Sequence, residues 1–149
     1  MVYEFLISDL IQNSSKKNIG TDKGLAKLGD EIVNLAYSMA KSIYLTKKST
    51  NKIYRTGLKV NKRILSDALK NAQMKSFAKS RADAHDLANT VEAIIAYVWL
   101  YNKMSLNEMI DFLTNNLSGD LNIRVEEIQS ATQAFTNLLN YLKKDLPEN

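Results

Sequence analysis

Between Asp86 and Tyr101 the chain reads Asp-Leu-Ala-Asn-Thr-Val-Glu-Ala-Ile-Ile-Ala-Tyr-Val-Trp-Leu-Tyr, apolar nearly all the way round. As a helix this stretch makes about four turns. A surface helix carries one apolar stripe, so a segment apolar on every face belongs at the centre of its domain. Val, Ile, Tyr and Trp also favour strands. The length and the alanines Ala84, Ala88, Ala93 and Ala96 decide for helix, because unbroken strands this long are uncommon. The expectation is a buried central helix, residues 86–101, around which the rest of the chain packs.

One residue of this stretch conflicts with its surroundings. Glu92 is the only carboxylate between Asp86 and Glu108, and Val91, Ala93, Ile94 and Ile95 flank it. A buried carboxylate must be protonated, ion-paired or bound to a metal. Helical spacing places Asn89 one turn and His85 about two turns before it on the same face. A structural ion pair is the plain explanation of Glu92, and a second segment, described below, is what raises the alternative.

Helical periodicity recurs through the other segments. Val2, Phe5, Leu6, Leu10 and Ile11 fit a short amphipathic helix over residues 2–12, and the polar run Asn13–Lys23 reads as a loop. Leu25, Leu28, Ile32, Leu35, Ala36, Met39, Ala40 and Ile43 predict a helix ending near Thr46, and Lys47–Gly57 reads as a loop. Val60, Ile64, Ala68, Leu69, Ala72 and Phe77 predict a helix from about Lys59 to Ala78. Ser105-Leu-Asn-Glu108 has the form of a capping box opening a helix that stops at Gly119. A last helix from Arg124 to Lys144 turns Val125, Ile128, Phe135, Leu138, Leu139 and Leu142 inward. Glu126 and Glu127 in its first turn and Lys143 and Lys144 in its last complement the helix dipole. Met39, Met74, Met104, Met109, Tyr97 and Trp99 read as packing groups of the core or of a dimer interface. The expectation is all-α, about six or seven helices in one domain over residues 1–149.

Composition removes several chemistries. Without cysteine there is no disulfide, thiolate metal site or cysteine nucleophile, and one histidine excludes a multi-histidine zinc site within the chain. A metal here must be held mainly by oxygen, which points to magnesium, manganese or calcium. The N-terminus lacks the pattern of a signal peptide, and no segment spans a bilayer on hydropathy, so an intracellular, cytoplasmic protein is expected. The net charge of +4 is modest, but its distribution is one-sided. From Ile32 to Ser66 there is no acid, while Lys41, Lys47, Lys48, Lys52, Arg55, Lys59, Lys62 and Arg63 all fall there. Such a block is a fair electrostatic footprint for a polyanion.

The second informative segment is Gly24-Leu-Ala-Lys-Leu-Gly-Asp-Glu-Ile-Val-Asn-Leu. Glycine and aspartate are poor residues for a helix interior, yet Gly29-Asp30 sits inside an apolar periodic stretch. A glycine there permits close approach of another helix. Asp30 shares its face with Ala26 and Asn34. Two carboxylates, Asp30 and Glu92, thus lie on separate helices in apolar company, and facing each other they would make an oxygen site suited to magnesium.

Leu28-Gly29-Asp30 followed by Ile32-Val33 resembles the ribonuclease III signature Glu-x-Leu-Gly-Asp. Leu87-Ala88-Asn89-Thr90-Val91-Glu92-Ala93-Ile94-Ile95-Ala96 is similar to that family's second motif, Leu-Ala-Asp-x-x-Glu-Ala-x-Ile-Gly, and Trp99-Leu100 continues it. The basic segment ending Ile64-Leu65-Ser66-Asp67-Ala68 fills the interval, so the resemblance covers roughly Gly24 to Leu113. It implies a homodimeric, Mg²⁺-dependent (or Mn²⁺-dependent) endonuclease for double-stranded RNA. Of that family's four metal-binding carboxylates, Asp30 and Glu92 match. Ala26 stands where the first motif usually has glutamate, and Asn89 where the second usually has aspartate. The short Mini-ribonuclease III branch, which looks similar at these positions, also lacks a following double-stranded-RNA-binding domain. On this resemblance Asp30 and Glu92 are the catalytic residues and hold the metal, with Asn89 assisting, and the metal activates water and stabilises the leaving 3′ oxygen. Lys41, Lys59, Lys62 and Arg63 are candidates for phosphate contacts on charge alone.

Two other readings remain open from the sequence. One is a ribonuclease-III-like fold without catalysis, serving as an RNA-binding or dimeric scaffold. The other is a helical interaction module in which Asp30 and Glu92 form structural ion pairs. Nothing resembles a phosphate-cradling glycine loop, and His85 as an acid–base catalyst is a minor alternative to a solvated histidine.

Overall fold

The computed structural model of the chain describes residues 3–149, and Met1 and Val2, the latter assigned above to the first helix, lie outside the described residues. Among the described residues there is no strand. The helices are α1 (Ser8–Gln12), α2 (Lys16–Gly20), α3 (Lys23–Lys48), α4 (Lys62–Asn71), α5 (Ala84–Leu100), α6 (Leu106–Asn115) and α7 (Arg124–Leu142). Single 3₁₀ turns stand at Glu4–Ile7, Lys75–Phe77 and Lys143–Asp145.

Helix α5 is the central element expected from its composition. It packs against α3, α4 and α2, and from Leu87 to Leu100 only Asn89 and Trp99 escape full burial. Its start is fixed by a reciprocal capping box, in which the Asp83 carboxylate accepts from the Asp86 amide and Asp86 accepts from the Asp83 amide. The box expected at Ser105 and Glu108 is formed in the same way at the head of α6.

Several boundaries and faces differ from the sequence reading. The stretch read as a loop contains α2, whose N-cap Ser15 accepts from the Asn18 amide. It is too short to show apolar periodicity. At the N-terminus Ile7 and Leu10 are buried, whereas Phe5 and Leu6 are exposed, because a 3₁₀ turn replaces the expected α-helical phase. The helix expected over 59–78 is α4 alone. It stops at Ala72, where the next residue, Gln73, takes a positive φ of 59° and turns the chain into the 3₁₀ segment. Helix α6 ends before Asn116, and Gly119, with φ 76°, serves the loop beyond it. Val125, placed inward above, is exposed, and Lys143 and Lys144 lie in the 3₁₀ turn after α7.

The largest correction concerns α3. Leu25, Val33, Ala36, Tyr37, Ala40 and Leu45 are buried, while Leu28, Leu35 and Met39 are exposed. The periodic pattern merged two apolar faces, of which only one meets this chain's own core. A third face of α3 carries Asp30, Asn34, Ser38, Ser42 and Thr46 at intervals of four. Their side chains stitch an extended segment onto the helix. Asn34 Oδ1 accepts from the Val60 amide at 2.7 Å. Ser38 Oγ accepts from the Leu58 amide and donates to its carbonyl at 3.0 and 3.2 Å. Ser42 does the same with Thr56 at 2.9 and 3.2 Å, and Thr46 with Tyr54 at 2.9 and 3.4 Å. Alternate residues of a strand point the same way, so 54, 56, 58 and 60 face the helix while 53, 55, 57 and 59 are exposed.

Candidate active site

The Gly29 position decides how closely α3 and α5 approach. A Cβ there would collide with the backbone carbonyl of Glu92, so the helices cross in contact at this point only because residue 29 has no side chain. The crossing brings the next residue of α3, Asp30, against the Glu92 side chain. Asn34 Nδ2 donates to Asp30 Oδ1 at 3.3 Å, which joins this pair to the hydroxyl row of α3.

Both acids open onto a cleft of about 360 Å³ between α2, α3, α4 and α5. Ala26, Asp30, Asn89, Thr90 and Glu92 line it, as do Lys23, Lys27, Lys62 and Lys79. Glu92 is 3 % exposed, so its ionised form has little water to support it. Burial, then the adjoining Asp30 carboxyl, push its pKa up to about 8, and the Lys62 ammonium opposes the shift. Lys62 Nζ stands 3.7 Å from Glu92 Oε1, and Lys59 Nζ stands 3.9 Å from Asp30 Oδ2. The lysine beside Glu92 therefore does not offset what burial and the neighbouring carboxyl impose on it.

The other acids of the cleft already have structural tasks. Asp22 caps α3 by accepting from the Leu25 amide, and Asp86 belongs to the α5 capping box and pairs with Lys79 at 3.4 Å. The capping hydrogen bond at Asp83, with Lys79 adding to it, holds Asp86 below the usual carboxylate range. Asn89 lines the cleft beside Glu92, as the helical spacing predicts. Ala26 occupies the wall position one turn before Asp30 and offers no donor. Among the described residues no group of three His, Asp or Glu side chains is gathered closely enough to hold a metal ion by itself. Two carboxylates and an amide fit a hard divalent cation that keeps several water ligands, which is the ordinary behaviour of magnesium. A cation would also relieve the repulsion that burial imposes on Asp30 and Glu92.

The phosphate candidates separate in the structure. Lys59 and Arg63 are exposed, and Lys62 is half-buried against Glu92. Lys41 does not join them. Its Nζ lies 2.8 Å from Glu127 Oε2, and only 16 % of its side chain is accessible. It faces α7 instead of solvent, so its charge is spent inside the fold. His85 is exposed at the head of α5 and does not line the cleft. Lys23, Lys27 and Lys79 reach the cleft and were missed as site residues. Only the packing of α2 and the 79–83 turn against α3 and α5 reveals them.

The fold and the cleft define a class of protein: an all-helical domain in which two helices cross on a glycine and present a carboxylate pair to a lysine-rich hollow. Residues 23–148 match the family model described as Ribonuclease III, and the chain belongs to that family. No curated protein sequence matches the chain significantly. Membership implies a phosphodiester hydrolase acting on double-stranded RNA, generally with Mg²⁺.

Proposed function

We propose that the chain is a divalent-metal-dependent endoribonuclease that cleaves double-stranded RNA as a homodimer, in RNA processing within the cytoplasm, each subunit a single domain. The observation that carries this reading is the meeting of Asp30 and Glu92 in one cleft, forced by the Gly29 crossing, in a chain of the ribonuclease III family. Asp30 and Glu92, with Asn89, would hold Mg²⁺ or Mn²⁺, which when bound supplies an activated water and a counter-charge for the leaving oxygen. Lys62 and Lys59 stand beside Glu92 and Asp30 and help to orient them, and, with Arg63, they meet the phosphates as the duplex enters. Burial of Glu92 excludes bulk water from its side of the cleft. Among the described residues no helix is long and apolar enough to cross a membrane.

The homodimer rests on the outer face of α3. Leu28, Leu35 and Met39 are 46 %, 51 % and 42 % exposed and lie in one row with half-buried Ile32, an apolar stripe on the flank of α3 turned away from the cleft residues Ala26, Lys27 and Asp30. Contiguous apolar surface of this kind marks association sites. Two copies joined there would carry two cleavage sites, one for each strand.

Cleavage of a long perfect RNA duplex in Mg²⁺ and in Mn²⁺ tests the reading, with Asp30→Asn and Glu92→Gln beside the wild type. Short duplex products that vanish in both variants support it. A second reading, an inactive RNA-binding scaffold, is favoured by Ala26 and Asn89 where acids are usual, and by Lys62 already compensating Glu92. Intact RNA shifted in a gel, equally with EDTA, would support that alternative.

A further inference from the structure

The segment zipped to α3 forms a continuous cationic line outside the cleft. Lys59 and Arg55 project from its exposed side, and Lys52 stands at its far end beside Lys47 and Lys48 of the last turn of α3. All five are exposed, Lys59 with Asp30 3.9 Å away at the cleft end and Lys52 and Lys48 against aromatic rings. Lys52 Nζ lies 4.9 Å from the Tyr54 ring centre and Lys48 Nζ 5.4 Å from that of Tyr44, which steadies these two ammonium groups without neutralising them. At extended-chain spacing Lys59 and Arg55 are about 13 Å apart, and Lys59 and Lys52 about 23 Å apart. No acid interrupts the chain from Ile32 to Ser66, and Asp120, on the loop beside Tyr44 and Lys48, is the acid near the far end.

A loop of this composition would ordinarily be mobile, and its charges would be spread over many positions. Here six hydroxyl contacts from Ser38, Ser42 and Thr46, and one from Asn34, fix the backbone, so the cations keep a set spacing and direction. The same row of α3 begins at Asp30. The line of charge therefore starts at the carboxylate pair and leads away from it along the helix.

We propose that residues 47–59 form a phosphate-binding rail that grips the backbone of the RNA duplex on one side of the cleft, through Lys59, Arg55, Lys52, Lys48 and Lys47. The rail rests on the nuclease reading for its ligand and extends it by giving the RNA a foothold that runs from Lys59, at the edge of the cleft, out to Lys47. Contacts to phosphate fix register without reading sequence. Their strength falls with salt as bound counterions are released.

Affinity for a fluorescent RNA duplex of about 30 base pairs, measured in EDTA across a salt series, tests the rail. Lys52→Ala/Arg55→Ala should lower the log–log salt slope by about one per cation removed. Lys103→Ala/Lys143→Ala, which removes two charges elsewhere, should leave the slope near the wild-type value. Ser38→Ala/Ser42→Ala/Thr46→Ala removes no charge but frees the segment, and should weaken binding roughly 3- to 10-fold through the cost of reordering it. Faster hydrogen exchange at the Thr56 and Leu58 amides would show that the segment was released. Equal slope changes in the two charge pairs, or none in the rail pair, overturn the rail and leave the nuclease reading standing. Wild-type protein that binds no duplex at low salt overturns that reading and the rail with it.

Discussion

Two buried glutamates meet α3 at different points along its length, Glu92 at Gly29–Asp30 and Glu127 at Tyr37 and Lys41, and their surroundings could hardly differ more. Glu127, near the start of α7, is fully partnered: Lys41 lies 2.8 Å away, the Tyr37 hydroxyl donates at 3.0 Å and the Arg124 guanidinium at 3.2 Å. Burial works against its ionisation, but these partners prevail and hold its pKa below the usual range. Burial, and after it the same carboxylate, drives the Tyr37 phenol far above its ordinary pKa. Glu92 has one cation at 3.7 Å, and burial first, then the second carboxyl beside it, raise its pKa to about 8. A carboxylate that serves the fold is satisfied within the chain. One left short of positive charge in an open cleft has room for a ligand.

The largest effect expected from breaking this contrast is on catalysis. Glu92→Gln removes the cation-binding charge and should lower RNA cleavage by about 100-fold or more, the scale of losing several kcal/mol of metal-dependent stabilisation. Single-turnover cleavage in Mg²⁺ reads this, and a rate within a few-fold of wild type would assign Glu92 to the fold alone.

Glu127→Ala should produce the opposite pattern, since it leaves Lys41 buried without its partner. It should cost about 3 kcal/mol in urea unfolding while the folded fraction retains its cleavage rate. Gly29→Ala tests the junction on which the cleft depends. A methyl group there must displace the Glu92 backbone, so we expect a loss of about 2 kcal/mol together with weakened Mg²⁺ binding by calorimetry. A fully stable variant with normal metal affinity would show that the helices cross less tightly than described.

A smaller effect lies in the pH dependence of the metal-free protein. Glu92 binds its proton more tightly when folded than when unfolded, so below about 4.5 both states are protonated and its raised pKa costs nothing. Between about 4.5 and about 8 the unfolded state releases the proton first, and stability falls as pH rises. Glu92→Gln should remove that decline, which denaturation of both proteins at pH 5, 7 and 9 would show. Glu127 has the opposite sign, and its contribution is lost as pH falls through its depressed pKa. Mg²⁺ should stabilise the wild type more at pH 9 than at pH 6, because the cation competes with the Glu92 proton.

Much of the site was legible before the fold was known. Glu92 stands out because an acid among Val, Ala and Ile is expensive, and Gly29-Asp30 because neither residue suits a helix interior. The hydroxyl row of α3 was equally present, as Asn34, Ser38, Ser42 and Thr46 at intervals of four, but its partner segment has no periodic signal of its own. Lys41 was misread because a lysine in a basic run looks the same in sequence whether it faces water or a buried acid 86 residues further on.

By itself the sequence determined the helical class, the central position of α5, the capping box that opens α6, and the two acids that stand out in apolar company. Those properties are local, set by periodicity, propensity and desolvation over a few turns. Only the tertiary structure decided which apolar face of α3 meets the core, that Lys41 belongs to Glu127, and that Lys23, Lys27 and Lys79 reach the cleft. Those outcomes depend on contacts between segments far apart in the chain, and helical spacing fixes the direction of a side chain without naming what it meets.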